Sequence, residues 1–124
     1  MEKREELIAE YKSNVMKCEL RLDELRAEDR KFEECLDDVD MFQRNVMQML
    51  EHHRSELAQN NSYEDLELFH MIEEEAHTNC RSTNYALMEE KEELERERKK
   101  IYRDREDIEY EYKRAMYTLN ELTL

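Results

Sequence analysis

The sequence predicts an all-α chain: a long antiparallel helical hairpin of two coiled-coil-like helices that completes a bundle with partner helices or by self-association. Three observations carry this expectation. The 124 residues include no Gly and no Pro, so the residue suited to tight strand turns is missing, and so is the one that stops a helix. Charged residues make up 44% of the chain and hydrophobic ones 39%, the balance of long amphipathic helices. Apolar side chains recur at alternating three- and four-residue steps, as they do on a helix that buries one stripe. The length suits a single domain over residues 1–124.

The first element is expected over residues 3–58 or so. Its seam reads Ile8, Tyr11, Val15, Cys18, Leu22, Leu25, Asp29, Phe32, Leu36 and Val39, a heptad pattern with one acidic interruption. A turn follows at about 59–62, within AQNNSYED, where Asn60, Asn61 and Ser62 cluster. Asn61 or Ser62 can cap the next helix, with Glu64 and Asp65 in the first turn where the helix dipole favours acids. The second helix is expected over about 63–121. Its seam continues through Leu94, Arg98, Ile101, Arg105, Ile108, Tyr112, Ala115, Leu119 and Leu122. Asn and Ser also tolerate a helix interior, so the alternative is one uninterrupted helix in a parallel dimer.

Folding the chain at residues 61–62 sets Leu36 near Leu87, Leu25 near Arg98, Cys18 near Arg105 and Val15 near Ile108. Asp29 then reaches Arg98 diagonally. A polar pair in an apolar seam is a device for choosing register, at a cost in stability.

A two-helix seam needs only a narrow stripe, yet VDMFQRNVMQML (residues 39–50) and LELFHMI (residues 66–72) are apolar over much more than that. In the frame set by Leu22 and Leu25, Phe42 and Met49 fall at g, Met47 at e and Met41 at f. Phe69 and Met71 belong to the facing segment. In KKIYRDREDIEYEY (residues 99–112) the seam takes Ile101, Arg105, Ile108 and Tyr112. Tyr102 flanks it at e, Tyr110 lies at f on the far side, and Tyr117 follows one heptad on. Phe42, Met47, Met49, Phe69, Met71, Tyr102, Tyr110 and Tyr117 are the candidate partner interface, because wide apolar or tyrosine-bearing faces call for covering helices.

Charge and composition exclude several function classes. The net charge of −14, from 34 acidic and 20 basic residues, opposes binding to nucleic acid or to an anionic membrane surface. No apolar run approaches the roughly 20 residues that span a bilayer. The charged start MEKREELIAEYK lacks the apolar core of a secretory signal, so a cytoplasmic protein is expected. Cys18, Cys35 and Cys80 are too scattered for a disulfide framework and are expected as free, buried thiols.

His52, His53, His70 and His77 lie near the turn, where residues 51–79 hold eight acidic side chains and one basic one, Arg54. A metal site from His53, His70, Glu74, His77 or Cys80 matches no recognised zinc spacing. An acidic end that attracts a cationic partner is the simpler reading. No phosphate loop, nucleophile triad or distinct carboxylate pair stands out, so neither catalysis nor a cofactor is expected.

The run EELERERKKIYRDREDIEYEYKRAM resembles the C-terminal helix of the small helical accessory proteins that accompany LXG-domain toxins of the type VII secretion system. The resemblance is clearest over residues 89–116. The long N-terminal helix carrying ELRLDELRAEDRKFEE and DDVDMFQR is also similar in layout, while the central portion is not. The resemblance implies a WXG-like helical hairpin, without enzymatic activity, that binds the helical N-terminal LXG domain of a cognate toxin. A second small helical accessory protein joins such complexes, which are presented for export, so co-export with the partner is implied too. Two departures stand out: Asn-Asn-Ser replaces Trp-x-Gly at the turn, and the Phe-x-x-x-Asp motif of the sister accessory family is absent. The Tyr-x-x-x-Asp/Glu export motif of secreted relatives is met by Tyr117 and Glu121, but equally by Tyr63 with Glu67, Tyr85 with Glu89 and Tyr102 with Glu106. Alone, the chain is expected to self-associate, for example as a homodimer, or to be poorly stable. The alternative function is a structural homo-oligomeric coiled coil with no export role.

Overall fold

A computed structural model describes residues 2–60 and 63–123. Two long helices, α1 (Glu2–Gln59) and α2 (Tyr63–Thr123), pack against each other as an all-α hairpin. Asn60 follows α1 and its amide donates to the Glu56 carbonyl at 3.1 Å, closing one last helical hydrogen bond. The capping assigned to Asn61 or Ser62 falls outside the described residues. Glu64 and Asp65 occupy the first turn of α2, where their charge offsets the positive end of the helix dipole.

Cα packing divides the chain into two compact units, residues 1–30 with 92–124 (unit 1) and residues 31–91 (unit 2). Unit 1 holds the apolar core. Leu25 is 2% exposed, Leu22 4% and Ile101 8%, with Cys18 and Leu94 packed against them. Cys18, Leu22 and Leu25 are successive seam positions on α1, and Leu94 and Ile101 are seam positions one heptad apart on α2, so the heptad spacing brings them together without further instruction. Farther along the same unit, the rings of Tyr11 and Tyr112 stack with centroids 4.1 Å apart and planes 16° apart.

Unit 2 is built from the same kind of seam with a thinner core. Phe32, 9% exposed, is its one buried hydrophobic side chain among the described residues. Leu36, Val39, Val46 and Leu50 of α1 and Leu66, Phe69, Ala76, Cys80 and Leu87 of α2 are half-buried. The interior of this unit includes Glu73, whose side chain is only 12% exposed.

All three cysteines are free, but the expectation that they are buried fails: Cys18 and Cys80 are half-buried and Cys35 is exposed. Cys35 precedes the seam residue Leu36 and therefore sits beside the covered stripe rather than in it. No described helix is long and apolar enough to cross a membrane.

Candidate interaction surface

Polar side chains link the two helices within each unit. In unit 1, the Arg98 guanidinium donates to the Asp29 carboxylate, and both side chains are about one-third exposed. Arg105 donates to Glu19 at 3.1 Å. Arg21 of α1 donates through Nε and Nη2 to Glu97, and through Nη1 to Glu24 at 2.9 Å. Its guanidinium is held well above its ordinary value, first by the Glu97 hydrogen bond and then by that of Glu24.

In unit 2, Gln43 donates to Asn84 at 3.1 Å, Lys91 lies 3.7 Å from Glu33, and Arg54 lies 3.5 Å from Glu73 Oε2. Glu73 Oε1 is buried and has no hydrogen-bond partner. Asn84, Lys91, Arg98 and Arg105 follow one another at intervals of seven, so one lane of α2 carries a polar group each heptad. The Arg residues of that lane are visible in the sequence as seam interruptions. The role of Arg21 is not, because an ordinary surface residue looks the same in a heavily charged chain, and the seams read from the sequence end at Val39 and begin at Leu94, short of Gln43 and Asn84.

The candidate interface residues divide between the units. In unit 2, Phe42 is 68% exposed, Met49 59% and Met71 64%, while Met47 and Phe69 are half-buried. The Phe69 ring meets His53 edge-on with centroids 6.4 Å apart, which accounts for part of its cover. In unit 1, Tyr110 and Tyr117 are each 67% exposed and Tyr102 43%; Glu121 is exposed as well. Sequence reasoning did not assign Met16, Leu20, Tyr85 or Met88 to an interface, and all are more than half exposed. Their signal was an apolar residue off the seam, which is easily discounted when it stands alone.

Three of the four histidines are engaged with carboxylates of their own helix. His52 Nε2 is 3.1 Å from Glu56, His53 Nδ1 3.8 Å from the same residue, and His70 Nε2 3.5 Å from Glu74. Among the described residues no group of three or more His, Cys, Asp or Glu side chains converges as a metal site would require. An open apolar groove of about 590 Å³ lies in unit 1, lined by Leu7, Ala115, Leu119 and Leu122 among others. A smaller cleft in unit 2, about 290 Å³, is lined by Tyr63, Leu66, His70 and Glu73 among others.

No protein-family profile, curated protein or solved structure matches this chain. Its class therefore rests on its own architecture, a helical hairpin with a narrow core and wide apolar margins.

Proposed function

We propose that the chain is a non-enzymatic adaptor or targeting chaperone. In this reading it binds the helical N-terminal LXG domain of a cognate toxin, together with a second small helical accessory protein, and helps present the toxin for type VII secretion. One observation carries the binding half of this reading. Among the described residues, unit 2 has a single buried hydrophobic side chain, Phe32, beside nine large hydrophobic ones that are more than half exposed. A helix pair so provided gains by packing further helices over it. The export half rests on the resemblance of residues 89–116 to the accessory family. The proposed setting is the cytoplasm, with co-export alongside the toxin, through Tyr117 and Glu121, as a further step.

The test is co-expression with the helical domain of the toxin encoded beside it. A stoichiometric complex that survives size-exclusion chromatography is the expected result. A monodisperse, cooperatively unfolding monomer that ignores the domain would overturn the reading. The same exposed side chains also suit a homo-oligomeric coiled coil, for which light scattering would report a tight dimer or tetramer indifferent to the toxin.

A further inference from the structure

The wide apolar margin of unit 2 has a definite chemical rim. Cys35, Phe42 and Met49 are spaced by seven on α1, so they form one lane beside the seam, and all three are exposed. On α2, Leu68 and Ile72 are four residues apart on one face and are 62% and 55% exposed. Glu34 and Asp38 on α1 and Glu75 on α2 are exposed carboxylates of this unit, and none of them takes part in an ion pair among the described residues.

Unit 2 holds 15 acidic and 5 basic residues, a net of −10 out of the −14 of the chain. Its cations are largely spoken for: Arg44 lies 2.9 Å from Asp40, Arg54 3.5 Å from Glu73 and Lys91 3.7 Å from Glu33. A second copy laid on this surface would bring the same acidic rim with only Lys31 and Arg81 left to answer it. Like charges facing each other across an interface are selected against. The occupant must bring its own cations.

We infer that unit 2 is the docking surface for a basic amphipathic helix of another protein. The apolar stripe of that helix packs along Cys35, Phe42 and Met49 and against Leu68 and Ile72, and its Lys or Arg residues meet Glu34, Asp38 and Glu75. Helical side chains at three- and four-residue spacing match a lane of knobs seven apart. This rests on the adaptor reading and adds to it the surface used and the chemistry of the partner segment.

The experiment uses the full chain and three fluorescein-labelled designed helical peptides, read by anisotropy. One has a Leu stripe with Lys flanks, one the same stripe with Glu flanks, and one the Lys flanks with a Ser/Gln stripe. The Leu/Lys peptide should bind, and its affinity should fall with added salt. Phe42→Asp or Met49→Asp should weaken it by about tenfold or more, whereas Tyr110→Asp in unit 1 should not. Phe42 and Met49 are exposed, so circular dichroism should find both variants as helical as the parent. Equal binding of the Leu/Glu or the Ser/Lys peptide would overturn the inference. So would indifference to both substitutions, or sedimentation as a dimer that Phe42→Asp converts to monomer. The two proposals fail separately. If the toxin domain co-purifies and Phe42→Asp and Met49→Asp leave that complex intact, the docking surface is wrong and the adaptor reading stands. If the Leu/Lys peptide binds as expected while the toxin domain does not, the partner assignment is wrong and the surface stands.

Discussion

Arg98 of α2 hydrogen-bonds the carboxylate of Asp29 of α1, joining across the helix pair two of the charged residues that interrupt the apolar seams of unit 1. A pair that is one-third exposed gains little from Coulomb attraction once its desolvation is counted. Its value lies in which register it permits, because a slip along either helix leaves both charges against apolar neighbours. Arg98→Ala and Asp29→Ala should each destabilise the chain, and a double-mutant cycle by urea denaturation should give a coupling of about 0.5–1 kcal/mol that shrinks in 1 M salt. Replacing both by Leu should raise stability by about 1–2 kcal/mol. A coupling near zero would deny the pair any role in register.

Leu25, 2% exposed, is the most deeply buried side chain of unit 1. Leu25→Ala should cost about 2–4 kcal/mol, since it empties space that so narrow a core cannot refill. Met49→Ala should change stability by no more than about 0.5 kcal/mol. Similar costs at the two positions would mean that Met49 is covered in solution by another copy of the chain.

The buried Oε1 of Glu73 has no hydrogen-bond partner. Leaving a polar group in that state costs more than an apolar side chain would, so Glu73→Leu should stabilise the chain by about 1–2 kcal/mol, read as a higher urea midpoint. Loss of stability instead would show that the 3.5 Å approach of Arg54 to the other oxygen outweighs the unpaired one.

The stacked rings of Tyr11 and Tyr112 are the one face-to-face aromatic contact between the helices of unit 1 among the described residues. Tyr112→Leu keeps the apolar bulk and removes the stacking, which should cost about 0.5–1.5 kcal/mol and diminish the near-UV circular dichroism of tyrosine. An unchanged spectrum would place the two rings apart.

Arg21 bonds carboxylates of both helices. Its pKa in the folded chain is raised above the ordinary guanidinium value, first by the hydrogen bond to Glu97. A raised value for a cation means that its contribution is complete below the unfolded value and is lost only as pH climbs past it. Arg21 therefore adds no pH dependence to stability at neutral or mildly alkaline pH. Arg21→Lys should lower the melting temperature more than Arg26→Lys does, because Lys cannot reproduce the two-pronged bond to Glu97, and among the described residues Arg26 bonds Asp23 of its own helix alone.

Much of this molecule is legible from local pattern. The absence of Gly and Pro and the three-and-four spacing of Leu22, Leu25 and Ile101 with their neighbours determine long seam-forming helices. The cluster at Asn60 marks where a hairpin would reverse, while the choice of a hairpin over one uninterrupted helix came from the tertiary structure. Each of these sequence features is a property of the chain within a few turns, which is why periodicity reaches it. The facing of Asp29 and Arg98 follows from the same arithmetic, since a charge inside an apolar stripe points at the opposite stripe.

The tertiary structure decided which edge of each wide apolar arc is covered. Around residues 39–50 the arc spans more than a single partner helix can bury, so several rotations of α1 about its own axis satisfy the pattern equally well. Packing against α2 chose one of them: Met47 and Phe69 became half-buried, Phe42 and Met49 stayed outside, Cys35 came to the surface and Glu73 went inward. A helix's own sequence specifies its stripe, but the rotation that buries one margin and frees the other depends on side chains of the other helix. That choice left unit 2 with an exposed apolar margin and an acidic rim, and no pattern within either helix alone determines it.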